Sequence, residues 1–223
     1  MKKMMICLAN SKKYSGRCIA GIEVEPKPGG GWHLLRRNGK PKWLRPVSPP
    51  TKDYVHGQID EDDVRDIRLL DVVEFEMVRE CPEGYQSENV FFRKRSLQKI
   101  AEMPRLPALL DKLVEPDFEY LFGTPGKAVS KYDITGVDHS LVFAKVEQVE
   151  VYYPVVYKTF NPRGKILCHG RTYDLSITDL QTIVELQEKP KLLENCKHLY
   201  CTFSLGMEFN EEFYKIAAGL VYV

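Results

Sequence analysis

The sequence predicts a mainly β protein with a few helices, an α+β chain of two tandem antiparallel barrels. Strand-like runs group before and after the helical stretches instead of alternating with them, which argues against a doubly wound parallel sheet. Each half of the 223 residues holds about five such runs. Five antiparallel strands in roughly 90–110 residues is the scale of a small Greek-key barrel, of which the OB-fold is a common form.

"MMICLA" is a short apolar strand, and "RCIAGIEVE" alternates well enough to be a second. "PKPGGG" is a loop, because two prolines and three glycines do not sit in a ladder. "GWHLLRR" and "KWLRPVS" follow, joined through Asn38-Gly39, a strong hairpin signal. "IDEDDVRDIRLL" spaces Val64, Ile67 and Leu70 as a short helix, with Asp60 to Asp63 suited to its N-terminus. "LLDVVEFEMV" alternates as a strand. "SLQKIAEM" and "LPALLDKLV" read as helices, with Ser96 as a plausible N-cap. "SLVFAKVEQVEVYYPVVYKTF" returns to strand, "NPRGK" is a turn, and "ILCHGRTYDLSIT" is strand again. "TDLQTIVELQEK" is a helix capped by Thr178 or Asp179. "HLYCTFSLG" and "FYKIAAGLVYV" are the last two strands. The connector "LFGTPGKAVSKYD" sets the expected boundary. It leaves an N-terminal barrel with C-terminal helices over 1–122 and a C-terminal barrel over 123–223.

The composition, 43% hydrophobic and 28% charged, is that of a soluble globular protein. No apolar run approaches the ~18–20 residues that span a bilayer, and the apolar part of "MKKMMICLANSKK" is too short for a signal peptide. The expectation is a cytoplasmic protein with no membrane partner. The six cysteines show no disulfide framework and read as small hydrophobes.

No motif names a reaction. "GTPGKAVS" fails as a phosphate loop, with Leu121 where glycine is needed and Ala128 where a hydroxyl is needed. In "CKHLYC", His198 and Cys201 face opposite ways on a strand, so no zinc set converges. Glu74 and Glu76 share a strand face, but the lysine that a metal-dependent nuclease would place after them is absent. The expectation is no catalytic residue, no metal and no cofactor.

Charge distribution is more informative than the net charge of +1. Residues 1–50 hold eleven Lys and Arg against two Glu, a balance of +9. Residues 51–90 hold four against twelve Asp and Glu, a balance of −8, and the remainder is neutral. Both tryptophans lie in the basic segment. Single-stranded nucleic acid is held by cations on its phosphates and aromatic faces on its bases. The candidate contacts are therefore Ser11, Lys12, Lys13, Tyr14, Arg17, Trp32, Arg36, Arg37, Trp43 and Arg45. Trp32, after three glycines, is the better candidate for an exposed ring, and Trp43 in "KWLRPVS" fits a barrel core equally well.

Taken together, "ICLANSKKYSGRCIAGIE", "WLRPVS", "YQSEN", "YDLSITD" and "SLGMEFNEEFYKIAAGLV" resemble the successive signature segments of the dual-OB-domain (DuOB) family of bacterial proteins. The resemblance runs nearly the whole chain and implies two tandem OB-like barrels. It also implies recognition of nucleic acid or a nucleotide, and an association with prokaryotic conflict or antiviral systems. The matched polar positions are Asn10, Ser11, Lys13, Arg17, Cys18, Arg45, Ser48, Glu88, Asn89, Ser176, Thr178, Asp179, Ser204 and Lys215. The connection before "WLRPVS" is long for the family, so Trp32, Arg36 and Arg37 inherit no family role. Leu180 stands where the family more often has proline. The expectation is a non-enzymatic module binding nucleic acid, single-stranded, or a nucleotide. The alternative is a protein–protein interaction subunit whose basic and acidic segments pair with a partner.

Overall fold

The computed structural model describes residues 1–13, 16–51, 57–116, 118–154 and 162–223. The chain divides into two compact units, Met1–Pro104 and Arg105–Val223. The division falls at Pro104, ahead of the connector from which the sequence places the boundary after residue 122.

Unit 1 runs β1 (Lys2–Lys13), β2 (Gly16–Pro26), β3 (Trp32–Leu34), β4 (Arg36–Arg37), β5 (Lys40–Pro41), β6 (Trp43–Val47), α1 (Glu61–Val64), β7 (Asp71–Glu80), β8 (Asn89–Phe92) and β9 (Gln98–Glu102). The strand order β1-β2-β6-β8-β7 closes on itself because β1 also pairs β7. β1 serves both neighbours, pairing β7 through Lys2 to Ile6 and β2 through Met5 to Lys13. A bulge between Cys7 and Ala9 bends it around the ring. Gly21 faces this bend, where a Cβ would come 2.1 Å from the Ile6 carbonyl oxygen, so only glycine allows the approach. The third and fifth barrel strands, β6 and β8, run parallel, and the other barrel pairs are antiparallel. Met5, Leu8, Ile19, Ile22, Val73 and Phe75 lie in the core.

The stretch read as the helix "SLQKIAEM" is instead β9, an edge strand on β7. Its propensity loses to the unpaired edge that β7 offers. Ser96 does not cap a helix; its hydroxyl donates to the Arg93 carbonyl and accepts the Glu76 N–H.

Unit 2 runs α2 (Pro107–Leu110), β10 (Ala128–Ser130), β11 (Leu141–Val146), β12 (Gln148–Tyr152), β13 (Arg163–Cys168), β14 (Arg171–Ile177), α3 (Leu180–Glu188), β15 (Leu199–Phe209) and β16 (Glu212–Tyr222). "LPALLDKLV" keeps only the one turn of α2, and "ILCHGRTYDLSIT" folds back at His169-Gly170, both at positive φ. Asn161 of "NPRGK" lies outside the described residues. The sheet order is β11-β15-β16-β14-β13-β12. Its two end strands are consecutive in the chain, separated by Glu147, whose N–H donates to the Leu167 carbonyl at 2.8 Å. Taken as one bent strand, β11–β12 pairs β15 on one side and β13 on the other, as β1 does in unit 1. Here too the third and fifth strands, β14 and β16, are parallel. α3 connects the third strand to the fourth, as α1 does in unit 1.

Two buried polar groups hold unit 2 together. Asp179 caps α3, accepting from the Gln181 N–H at 3.2 Å and the Thr182 hydroxyl at 2.6 Å. It also accepts the Leu220 N–H of β16 at 3.0 Å, and burial raises its pKa. Lys215 is buried, its ammonium donating to the carbonyls of Thr124 at 2.5 Å and Gly126 at 3.0 Å. Burial pushes its pKa down to about 8, from an ordinary 10.5. A depressed lysine contributes stability that is complete above its unfolded pKa and lost as pH falls through the folded one. Denaturant unfolding of the wild type and Lys215→Met across pH 7–11 checks this. The stability difference should favour the wild type progressively as pH rises from about 8 to 10.5, by at most about 1.4 kcal/mol per pH unit. A pH-independent difference contradicts it.

Candidate nucleic-acid interface

The basic segment of unit 1 separates into an exposed arm and a buried set. The arm grows from the connection between the second and third barrel strands. β3 extends the sheet past β2, with Val24 opposite Leu34 and Pro26 opposite Trp32. β4 and β5 then form a hairpin closed by Asn38 and Gly39 at φ 52° and 79°, the left-handed pair expected of an Asn-Gly turn. Arg36 and Arg37 are exposed on it, as is Lys27 at its base, and Trp32 is half-buried. Arg36 donates to the Gly39 carbonyl at 2.9 Å. Lys12 is exposed near the end of β1. Among the described residues, Lys12, Lys27 and Arg37 make no ion pair. At the root of the arm, Lys3 and Lys42 share the buried Glu23 at 2.5 and 2.6 Å.

The other candidates lie elsewhere. Trp43 is buried in β6, whose whole length is buried, so its ring is a core side chain. Ser11 is buried as well. Arg45 is 2% exposed and ion-paired at 2.9 Å with Glu88, itself equally buried, while its N–H donates to the Glu88 carbonyl at 2.9 Å. Beside them burial pushes the Tyr85 hydroxyl up to about 12. Arg17 pairs with Glu61 at 3.3 Å and exchanges two backbone hydrogen bonds with Ile59. Tyr14 and the side chain of Lys13 lie outside the described residues.

Among the described residues, the ion pairs of the acidic segment join it to cations outside the arm. Asp60 pairs Lys94 at 3.2 Å, Asp62 pairs Arg65, and Asp63 accepts the Arg95 N–H at 3.0 Å. The Asp62 N–H, then Lys94, hold the Asp60 carboxyl below its ordinary pKa. Asp60, Asp62, Asp63, Lys94, Arg95 and Leu97 line a groove of about 290 Å³. Glu74 pairs Lys2 at 2.7 Å, Glu76 pairs Arg93 at 3.0 Å, and Asp71 pairs Lys99 at 2.6 Å. These acids act as partners for neighbouring cations.

The second and third strands of unit 2 carry a balanced surface. Arg163 donates to the Asp174 carboxylate at 2.9 Å, the Asp174 carbonyl at 2.8 Å, the Tyr152 hydroxyl at 3.1 Å and the Ser176 hydroxyl at 3.2 Å. Lys165 pairs Glu150 at 3.1 Å. Among the described residues, no helix is long and apolar enough to cross a membrane, and no group of three or more His, Cys, Asp or Glu is placed to hold a metal ion.

The closed ring of unit 1 and the matching strand order of unit 2 agree with the family comparison, in which the model of the dual OB-containing domain, DuOB, matches residues 3–220. The chain belongs to the DuOB family. No curated protein matches it. OB folds commonly bind nucleic acids. The geometry also explains several positions at which this DuOB chain resembles its family. Asn10 donates to the Ile67 carbonyl, Arg45 and Glu88 pair, and Asp179 and Lys215 are buried braces. Short-range pattern reading assigned Arg45 to a surface because its partner lies 43 positions away.

Removing one member of a buried ion pair leaves an uncompensated charge, at a cost of about 3–5 kcal/mol. Glu88→Gln should destabilise the protein by that order. Arg45→Met combined with Glu88→Leu should cost less than Glu88→Gln alone. Urea unfolding of the three proteins measures both, and equal or smaller loss in Glu88→Gln contradicts the pairing.

Proposed function

We infer that the chain binds single-stranded nucleic acid without catalysis, and that the arm of unit 1 supplies phosphate contacts. The observation that supports this most is the exposed Arg36-Arg37 hairpin, set on a barrel of the OB class. Lys12 and Lys27 add cations, and Trp32 adds a half-buried ring. A strand lying along an exposed hairpin suits this arrangement better than a nucleotide in the groove at Asp60, whose carboxylates repel phosphate. The alternative reading, a subunit whose acidic segment holds a basic partner, is weakened by the local ion pairs of Asp60, Glu61, Asp62, Asp71, Glu74 and Glu76.

Fluorescence anisotropy with labelled oligothymidylate and oligouridylate, titrated with salt, tests the reading. Affinity should fall as salt rises, with a log–log slope of about −0.7 per phosphate neutralised. Arg36→Ala with Arg37→Ala should weaken binding and flatten that slope by about 1.4, for two lost contacts. Undetectable binding at low salt, or an affinity indifferent to salt, overturns it.

A further inference from the structure

Tyr132 and Phe209 are the two most exposed aromatic side chains among the described residues, at 76% and 65%. Both belong to one end of unit 2. Phe209 ends β15, and its ring lies 6.4 Å from that of Tyr214 on β16, tilted by 55°. β10 adds to the outer edge of β16, with Ala128 opposite Tyr214 and Ser130 opposite Glu212. The chain then turns so that the Lys131 N–H donates to the Glu211 carbonyl at 2.9 Å, which brings Tyr132 beside the β15–β16 turn. Ammonium groups sit near two of the rings, Lys131 at 5.1 Å from Tyr132 and Lys127 at 5.9 Å from Tyr214.

Charge decides what this surface suits. Glu208, Glu211 and Glu212 lie in the same turn region. Lys131 is paired with Glu211, and Glu212 hydrogen-bonds Tyr214. No excess of positive charge is left to attract phosphate. Ring faces remain, and every base has a face that stacks on an aromatic side chain. The turn joins the fourth and fifth strands of its unit, a position from which OB barrels contact oligonucleotides.

We propose that this tip is a base-stacking platform, in which Tyr132 and Phe209 each receive an unpaired base. The platform rests on the single-strand reading above, but its contribution differs in kind. Stacking is insensitive to salt, whereas the arm acts through phosphates.

The test uses the full chain, oligothymidylate, and an abasic strand of equal length. Tyr132→Ala with Phe209→Ala should lower oligothymidylate affinity at least about fivefold at every salt concentration, given the strength of base–aromatic stacking. The salt slope should stay that of the wild type. Wild-type preference for oligothymidylate over the abasic strand should shrink by the same factor. Phe209→Tyr, which keeps a ring, should bind as the wild type does. If the wild type binds and the double alanine variant matches it, or changes only the salt slope, the platform is wrong and the arm stands. If the wild type binds neither strand, the single-strand reading fails and the platform with it.

Discussion

Each barrel depends on a short parallel pairing between its third and fifth strands. In unit 1 this is β6 on β8, spanning Arg45 to Val47 against Asn89 to Phe91. In unit 2 it is β14 on β16, with Ser176 and Ile177 against Ile216 and Ala217. Parallel pairs are slightly less stable per residue than antiparallel ones, and these are only two or three residues long. Both are reinforced by buried polar side chains. Arg45 and Glu88 join the two strands of unit 1 through an ion pair and a backbone hydrogen bond. In unit 2 the Thr178 N–H and hydroxyl both donate to the Ala217 carbonyl, and Asp179 accepts from Leu220. The segments "WLRPVS", "YQSEN", "YDLSITD" and "KIAAGLV" supply these closures, which gives their polar residues a structural role.

That role narrows where ligand contacts can lie. Residues committed to closing a barrel are poor contacts for a mobile strand, since withdrawing them leaves a buried charge or an open ladder. The proposed binding surfaces lie away from these closures. The arm of unit 1 is inserted between two barrel strands, and the aromatic tip of unit 2 lies at the β15–β16 turn, with Tyr132 beside it. The arm is rich in exposed cations and the tip in exposed rings.

Much of the architecture was legible in local chemistry. Asn38-Gly39 forms the hairpin that the dipeptide requires, Asp60 caps α1, and Asp179 caps α3. Alternation marked β2 and β7, and the five-strand count anticipated the barrels. "SLQKIAEM" misled because an open strand edge decided its conformation, and no local pattern records that edge. Trp43 and Arg45 share a basic, aromatic stretch with Arg36 and Arg37, yet burial separates them. That separation depends on Glu88, remote in sequence. Tyr132 and Phe209 escaped notice for the same reason, since 77 positions divide them before β10 and β16 bring them to one end.

Native-state hydrogen exchange tests the closure account most directly. If the parallel pairings hold the barrels shut, the amides of Arg45 and Thr178 exchange only through unfolding of their whole unit. They donate to Glu88 and Ala217 at 2.9 and 2.8 Å. Their exchange free energies should then match the highest values in the same unit, including those of β1–β2 and β15–β16. Exchange at markedly lower free energy, with those antiparallel pairs still protected, would show that the barrels persist without the closure.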